Sequence, residues 1–460
     1  MKKLFLFFCF LLSSYFSWSQ SDKIKVYFNR PVNNNLASIS NAVYLNQLID
    51  DTIIAYINRA KYTLDLAVYS FSETAAISSI VAAINNAYSR GVAIRWIYDG
   101  SSTNTSLTLL NSNINKLASP TSQLYGIMHN KFMIIDGSSS NPNDPIVWTG
   151  STNFTSAQIN TDANNVVIIQ DALVAQAYTT EFNEMWGSTS ITPNAANAKF
   201  GPDKTDNTTH IFNVGGEILE VYFSPSDGTN SKIQQAIRSA DVDMYFGVYS
   251  FTVAVDADSI NKRIQNNVYV AGILDPTSQS YPPYTTLSSS MGTNLIKDIL
   301  TGLYHNKMLI VDPSAPDSDP LVLTGSHNWS ASADTKNDEN TVIIHSANIA
   351  NVYYQSFYQN FTDEGGTLNI QTGVNAFSNQ TGLKIYPNPS NDRIFISDAT
   401  DYHITNLKII NIQGKIVKEQ LCCQLKDSVL INVQDFPNGI YFIQLQTNIG
   451  IITDKFIVNR

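Results

Sequence analysis

The chain carries an internal duplication, and this constrains its fold most, because two copies of one unit fold alike and pack against each other. Motifs recur in the same order along the two copies, with His129 and His305 separated by 176 residues. The other paired motifs are Val26-Tyr27-Phe28 with Val221-Tyr222-Phe223, Val68-Tyr69-Ser70-Phe71 with Val248-Tyr249-Ser250-Phe251, Asp99 with Asp275, and Thr149-Gly150-Ser151 with Thr324-Gly325-Ser326. The sequence therefore predicts two copies of one structural unit.

Each copy alternates strand-like runs with helical segments. Short runs rich in Val, Ile, Tyr and Phe are typical of strands, while residues 51–60 and 78–88 carry apolar side chains at helical spacing. This alternation predicts an α/β fold, with a mixed sheet covered by helices on both faces. The segment from Gly187 to Gly216 is rich in Pro, Asn, Thr and Gly, which indicates a linker between the copies.

The strongest chemical signal is a repeated H-x-K motif, His129-Asn130-Lys131 and His305-Asn306-Lys307. On a strand, positions i and i+2 share a face, so each histidine points the same way as its lysine and the intervening asparagine points away. A Gly-Ser-x-Asn turn follows in both copies and ends at Asn153 and Asn328. Phosphodiester cleavage needs such a set, with a nucleophile, an acid, and cations or amides for the phosphoryl oxygens.

Two aspartates follow the motifs at equal spacing, Asp136 and Asp312. On a continued strand they face away from the histidines, so we expect structural roles. The polar, proline-bearing stretches 137–145 and 313–320 come next, and they predict lengthened hairpins.

Together, the duplicated H-x-K-x4-D motifs and the Gly-Ser-x-Asn turns resemble the phospholipase D superfamily from about Lys23 to Glu364. The resemblance implies two α/β/α repeats around a pseudo-two-fold axis, and catalysis through a covalent phosphohistidine without metal or cofactor. It also implies a monomer, since both half-sites lie in one chain. The residues expected to converge on one phosphate are His129, Lys131, Asn153, His305, Lys307 and Asn328, with Ser151 and Ser326 behind them.

The resemblance also places a histidine-binding carboxylate at Glu339, whereas the matching position of the first copy is the uncharged Asn164. We expect Glu339 to lie beside His305, the histidine of its own copy, and Asn164 beside His129. A carboxylate favours the imidazolium form, so His305 would be the general acid and His129 the nucleophile. The converse assignment stays open, because a carboxylate also orients a nucleophilic ring.

The substrate class is less constrained than the chemistry. A net charge of −10 and the lack of basic runs make the chain a poor general binder of polyanions, so any such contact needs a local cationic pocket. The sequence therefore favours phosphatidyl headgroups, with an endonuclease as the alternative. A binding protein that kept the fold and lost the chemistry is a third reading, which the complete set of motif residues disfavours.

Both ends of the chain indicate export. Lys2-Lys3, an apolar run from Leu4 to Leu12 and the small residues near Ser19 are typical of a cleaved signal peptide. The apolar run is too short for the alternative, a membrane anchor. The mature chain keeps Cys422 and Cys423, which we expect to be small, half-buried apolar side chains rather than a disulfide or a zinc site.

The tail beyond residue 382 alternates apolar and polar residues in short runs, which predicts a small all-β sandwich. It resembles the C-terminal sorting domain of type IX secretion substrates, and so implies recognition by that secretion machinery; a carbohydrate-binding or adhesive module is the alternative. The residues that carry the resemblance are Tyr386-Pro387-Asn388-Pro389, Ile412-Gln413-Gly414-Lys415, Gly439-Ile440-Tyr441 and Lys455-Phe456-Ile457-Val458. The expected boundaries are a signal peptide at 1–19, repeats at 23–186 and 217–364, linkers at 187–216 and 365–382, and the sorting domain at 383–460.

We predict that the exported product begins at Gln20 and lacks much of the chain beyond Gly382, because the signal peptide and the sorting tail are both removed during export. Intact-mass analysis of the protein from culture fluid and cell surface measures this. A product that retains Met1, or that is found only in the cytosol, contradicts the prediction.

Overall fold

The computed structural model describes residues 23–72, 75–368, 384–397, 404–411, 415–421, 429–447 and 450–460. The predicted signal peptide, the sequence Ile412-Gln413-Gly414, the cysteines Cys422 and Cys423, and most of the second linker lie outside these residues. The chain forms two compact units, Met1–Asn369 and Ile370–Arg460. Among the helices that the structure describes, none has both the length and the apolar character needed to cross a bilayer.

The first copy folds into one mixed sheet with helices on both faces. Its elements are β1 (Ile24–Phe28), β2 (Val43–Tyr44), α1 (Ile49–Arg59), β3 (Thr63–Val68), α2 (Ala75–Ser89), β4 (Ala93–Tyr98), β5 (Asn115–Ala118), β6 (Lys131–Ile135), β7 (Ile146–Gly150), α3 (Ser156–Asn160), β8 (Asn165–Ile169) and α4 (Ala172–Trp186). The strand order is β2-β1-β8-β7-β6-β3-β4-β5. Helices α1 and α2 confirm the two helical segments predicted from apolar spacing.

The second copy repeats this architecture. Its elements are β9 (Ile211–Val214), β10 (Glu217–Ser224), α5 (Thr229–Ser239), β11 (Asp243–Val248), α6 (Ala254–Gln265), β12 (Tyr269–Leu274), α7 (Pro282–Met291), β13 (Leu295–Lys297), β14 (Lys307–Val311), β15 (Leu321–Gly325), α8 (Ala331–Thr335), β16 (Glu339–His345) and α9 (Ala347–Asp363). The order β13-β12-β11-β14-β15-β16-β10-β9, read in reverse, matches that of the first sheet except at one edge. There β9 precedes β10 and pairs with it antiparallel, whereas β2 follows β1 and pairs with it in parallel. The duplication is therefore confirmed in three dimensions. Strand β9 lies within the segment read as a linker and pairs with β10.

The strand register sets the surroundings of the H-x-K motifs. In antiparallel pairing, Lys131 on β6 lies opposite Val68 on β3, and Lys307 on β14 lies opposite Val248 on β11. Strands β3 and β11 each end at this valine. The residue that follows each valine, a tyrosine in both copies, therefore enters the site beside the motif.

Helices α4 and α9 pack into a core shared by the two sheets. Tyr178 of α4 makes an edge contact with Phe223 of the second sheet, and Tyr353 of α9 makes the matching contact with Phe28 of the first, with ring centroids 5.0 and 5.1 Å apart. Helix α4 thus packs against β10 of the second copy, and α9 packs against β1 of the first. Burial of this aromatic interface joins the two copies into one unit.

Asp136 and Asp312 lie one residue beyond the ends of β6 and β14, not on a continued strand as expected, and their carboxylates bind backbone N–H groups. The Asp136 carboxylate accepts hydrogen bonds from the backbone N–H groups of Lys61, Tyr62 and Thr63. Asp312 does the same for residues 241–243. The stretches 137–145 and 313–320 connect the antiparallel pairs β6–β7 and β14–β15, which confirms the lengthened hairpins.

The C-terminal unit is all-β. Its strands are β17 (Lys384–Tyr386), β18 (Arg393–Ser397), β19 (Ile404–Asn411), β20 (Ile416–Leu421), β21 (Val429–Asn432), β22 (Gly439–Thr447) and β23 (Gly450–Val458). They form a three-stranded sheet, β17-β18-β21, and a four-stranded sheet, β20-β19-β22-β23. Ile396 and Ile431 of the first sheet share one core with Ile409 and Ile443 of the second, so the predicted sandwich is confirmed.

Candidate active site

The two H-x-K motifs occupy equivalent, buried positions in the two copies. Lys131 Nζ donates to the carbonyl oxygen of His129 at 2.7 Å, and Lys307 Nζ donates to that of His305 at 2.6 Å. The centroid of the Tyr69 ring lies 5.0 Å from the centroid of the His129 ring and 5.3 Å from Lys131 Nζ. Each histidine and its lysine therefore share one side of the motif, as predicted.

Tyr249 repeats this arrangement at 4.9 Å from both His305 and Lys307. Tyr69 and Tyr249 belong to the repeated Val-Tyr-Ser-Phe motif, but their place in the sequence indicates no role for them. Their faces lie beside the ammonium groups, where an aromatic ring stabilises a cation.

Backbone hydrogen bonds join the copies beside the histidines. Asp338 donates its N–H to the carbonyl of Ile127 at 3.0 Å, and its carbonyl accepts from the N–H of His129 at 2.9 Å. On the opposite side, the carbonyl of Leu303 accepts from the N–H of Ala163 at 2.8 Å. In each copy, the residues just before the H-x-K motif are therefore hydrogen-bonded to the backbone of the other copy.

Two glycines permit this close approach. Gly126 and Gly302 have φ of +62° and +94°, which only glycine adopts readily. A Cβ on Gly126 would lie 2.5 Å from Asn337 Oδ1, and one on Gly302 would lie 2.5 Å from the carbonyl oxygen of Thr161. A side chain at either position would push the copies apart.

The pairing of Glu339 corrects the sequence-based expectation. Glu339 was expected beside His305, but its Oε2 lies 2.8 Å from Nδ1 of His129, the histidine of the other copy. The reason is the backbone contact described above, which carries the start of β16 across the interface to His129. Glu339 is fully buried, and Asn337 donates a second hydrogen bond to its other oxygen at 3.2 Å.

His305 has neutral partners, also from the other copy. Its Nδ1 lies 3.0 Å from the carbonyl oxygen of Ser151 and 3.1 Å from Asn164 Oδ1. The expectation that Asn164 lies beside His129 is therefore wrong for the same reason. The Ser151 hydroxyl holds the Asn164 side chain at 2.8 Å, while that of Ser326 accepts from the Asn340 backbone at 3.0 Å.

Burial dominates the protonation of the site. It lowers the pKa of His129 to about 4, although the Glu339 carboxylate acts in the opposite direction. Burial also lowers the pKa of Lys131 to about 7, and holds the pKa values of His305 and Lys307 well below their usual range, helped by the neighbouring cations. His129 is therefore neutral, with Nδ1–H donating to an ionised Glu339.

Two amide side chains complete the pocket. The side-chain amides of Asn153 and Asn328 make no hydrogen bond to any residue that the structure describes, and their Oδ1 atoms are buried. Buried polar groups normally have partners. Among the residues that the structure describes, these two buried oxygens therefore have no partner.

Across the described part of the chain, one group of three residues has metal-ligand geometry, namely Asp206, His210 and Asp227. It includes none of the site residues named above. The expectation of metal-independent chemistry stays a prediction.

A family model described as "Cardiolipin synthase, PLD-like domain" matches residues 53–186 and 233–361, which contain both H-x-K motifs and together exceed half of the chain. The chain belongs to the phospholipase D-like family. A second model, described as "Secretion system C-terminal sorting domain", matches residues 384–459. This phospholipase D-like protein is therefore exported by type IX secretion to the cell surface or beyond it.

Two curated relatives illustrate the similarity. The mitochondrial cardiolipin hydrolase of Xenopus tropicalis is 33% identical over 133 residues, which are 28% of this chain and 56% of that protein. The phospholipase D of Rickettsia prowazekii (strain Madrid E) is 28% identical over 142 residues, 30% of this chain and 66% of that protein. The matches thus span about 56% and 66% of those relatives.

Among solved structures, phosphatidylserine synthase from Haemophilus influenzae Rd KW20 matches with a TM-score of 0.51. The match covers 73% of this chain and 86% of that one, at 13% sequence identity. This similarity supports the phospholipase D-like fold of both copies together.

We predict that Glu339→Gln lowers the pKa of His129 further, because a carboxylate that favours imidazolium is lost. The ring of His305 should be unaffected. Conversely, Asn164→Asp should raise the pKa of His305, since it places a carboxylate 3.1 Å away in the present geometry. Titration of ¹⁵N-labelled histidine rings, assigned through His129→Ala and His305→Ala, measures both shifts. A response of His305 to the Glu339 change would contradict the cross-copy pairing.

Proposed function

We propose that this protein is a secreted phosphodiesterase that cleaves phosphodiester bonds through a covalent phosphohistidine, without a metal ion. The observation that carries the proposal is the convergence of two buried histidine–lysine pairs. Each ring binds protein through Nδ1, while Nε2 makes no hydrogen bond among the described residues. Two such nitrogens suit a nucleophile and a proton donor for one phosphate. The relatives named phospholipase D and cardiolipin hydrolase support the same chemistry.

We assign the nucleophile to His129. Attack of Nε2 on phosphorus forms an N–P bond and leaves the ring, which keeps its Nδ1–H, positively charged. The Glu339 carboxylate, 2.8 Å from Nδ1, stabilises this charge and fixes the ring. His305 has only neutral partners and lacks this stabilisation. The nucleophile is the residue expected from sequence, but the supporting reason has changed from a neutral Asn164 to an orienting Glu339.

His305 then acts as the general acid. Burial holds the pKa of His305 low, and binding of an anionic phosphodiester raises it, because an opposite charge favours imidazolium. As the bond from phosphorus to the leaving oxygen breaks, His305 gives that oxygen a proton. Neutral His305 next removes a proton from water, which attacks phosphorus, breaks the N–P bond and restores His129.

The remaining groups hold the phosphate. Lys131, Lys307, Asn153 and Asn328 are proposed to bind the non-bridging oxygens, where negative charge concentrates in the transition state. Binding of this anion also stabilises the charged forms of the two lysines, whose pKa values burial lowers. The pocket would thus provide the local cationic site that a chain with a net charge of −10 needs in order to bind an anionic substrate.

Apolar loop ends favour a phosphatidyl substrate. Ile299 and Leu300 are exposed in the loop before the second H-x-K motif, and Leu124 is exposed in the equivalent loop of the first. The Ile299 loop is firmly held, because the N–H of Ile299 donates to Glu364 at 2.8 Å and that of Leu303 donates to Asp162 at 2.9 Å. Exposed apolar side chains on a held loop that leads to an H-x-K motif suit contact with a lipid surface.

An endonuclease is the alternative, since the motif recognises only the phosphodiester. A binding protein without activity is the remaining reading. The secretion machinery is the proposed partner of the sorting domain, and a monomer is proposed because one chain supplies both half-sites.

The function is tested by incubating the mature protein with phosphatidylcholine vesicles, plasmid DNA and a p-nitrophenyl phosphodiester, each with and without EDTA. We expect hydrolysis of the vesicle lipid and of the soluble diester, and no effect of EDTA, since no site residue needs a metal. Loss of activity in EDTA with recovery on a divalent ion contradicts the mechanism. Cleavage of plasmid alone favours the nuclease, and inactivity in every arm favours the binding protein.

A variant pair sharpens the choice of substrate. Ile299→Ser with Leu300→Ser should lower activity on vesicles and leave the soluble diester unchanged. Ile211→Ser is the matched control, because Ile211 is 63% exposed, between Leu300 at 37% and Ile299 at 70%, but lies on β9.

Trapping separates the two histidines. With a p-nitrophenyl leaving group, departure needs little acid assistance, so His305→Ala should form the phosphoenzyme and fail mainly in its hydrolysis. His129→Ala should form none. Mass spectrometry of quenched peptides locates the phosphoryl group, and its presence on His305 in the unmutated enzyme would reverse the assignment.

A further inference from the structure

A buried lysine lies in the segment between the two copies. Lys204 Nζ is 2.6 Å from Glu181 Oε1, 2.6 Å from the carbonyl oxygen of Ser224 and 3.3 Å from Asp338 Oδ1. The side chains of the lysine and of both carboxylates are almost completely buried. Burying an ammonium is costly unless carboxylates pair with it. The segment 187–216, which the sequence predicted to be a linker, therefore contributes a buried ammonium group that binds residues of three other parts of the chain.

Lys204 joins parts of both copies. Glu181 belongs to α4 of the first copy, Ser224 ends β10 of the second, and Asp338 precedes β16. Burial alone would lower the pKa of Lys204, but the carboxylates of Glu181 and Asp338 outweigh it and raise the pKa above its usual value. Lys204 is therefore a charged centre between two carboxyl groups, although burial raises the pKa of Glu181 to about 7 and that of Asp338 to about 6.

Asp338 connects this centre to the site. Its backbone binds Ile127 and His129 on either side, its carboxylate also accepts the N–H of Gly201 at 2.7 Å, and the next residue is Glu339. Displacement of Asp338 would therefore move both partners of the Glu339–His129 hydrogen bond.

The His305 side has a buried ion cluster of its own, in which Arg30 pairs with Asp298 and Glu364, but it has no charge at the position that matches Asp338. In the matched sequence of the first copy, the residue at the place of Asp338 is Ala163, which has no charge to hold. The cluster of Lys204, Glu181 and Asp338 therefore occurs in the same half of the site as the carboxylate of Glu339, and not in the half that contains Asn164. Both charged features serve the His129 side of the pocket.

We propose that Lys204 is a positioning residue that sets the geometry of the Glu339–His129 pair by holding Asp338. The inference rests on the proposed function, in which this pair forms the nucleophile. Without the ammonium, Glu181 and Asp338 would be buried anions with no shared cation, and each would shift or take up a proton. Misplacement of a catalytic pair by about 1 Å is enough to slow a reaction on the order of a hundredfold.

The test uses the mature protein with Lys204→Met and the soluble p-nitrophenyl phosphodiester. We expect kcat per folded molecule to fall about tenfold to a hundredfold, with KM changed less than about twofold, because substrate contacts stay in place. Lys199→Met is the matched control. Lys199 lies in the same segment and pairs with Glu184 of α4 at 3.1 Å, but its side chain is exposed, so its loss should leave kcat unchanged.

Asp338→Asn is the second variant, for the case that Lys204→Met does not fold. It removes the charge pair while keeping an acceptor for Gly201, and should lower kcat in the same direction. In either variant the ¹⁵N signals of the His129 ring should shift and those of His305 should not.

An unchanged kcat with an undisturbed His129 ring in a folded variant overturns the inference, as does a loss of stability alone. If the unmutated protein hydrolyses no phosphodiester, the proposed function fails, and the His129 signal still decides whether Lys204 positions the pair.

Discussion

The hydrogen-bonded contact between Asp338 and the residues around His129 is the constraint on which the site depends. It consists of two backbone hydrogen bonds, yet it brings the start of β16 into the other copy and places a carboxylate on a histidine 210 residues away. Two such contacts convert a pair of half-sites into one pocket. The aromatic packing of α4 and α9 holds the sheets at the separation that these contacts require.

Electrostatics in the pocket follow from its burial. Two histidines and two lysines lie together away from water, so burial and mutual repulsion disfavour four positive charges in the pocket. An anion relieves this conflict, because it compensates the charges that burial disfavours. The ionised Glu339 is the exception, as it already stabilises the ring that is proposed to become cationic. On the proposed function, the charged forms of these lysines and histidines are therefore stabilised mainly by the negative charge of the bound substrate.

Much of this molecule could be predicted from its sequence, because the signals are local. The periodicity of apolar residues predicted the helix-covered sheets, and the spacing of His129 and Lys131 predicted that their side chains lie on the same side of the strand. The partner of Glu339 could not be predicted in this way, since a motif does not indicate which copy its side chain faces. Lys204 was missed because a single buried lysine in a polar segment has no periodic pattern, and its partners are contributed by distant elements.

The two copies differ at two neighbouring matched positions, Glu339 against Asn164 and Asp338 against Ala163. In an assembly of two identical subunits, every substitution occurs twice, so neither ring could gain a carboxylate without the other gaining one as well. Fusion of the copies into one chain removes that restriction. One polypeptide can then mutate each half independently, and the duplicated fold becomes a means of specialising two identical residues for different tasks.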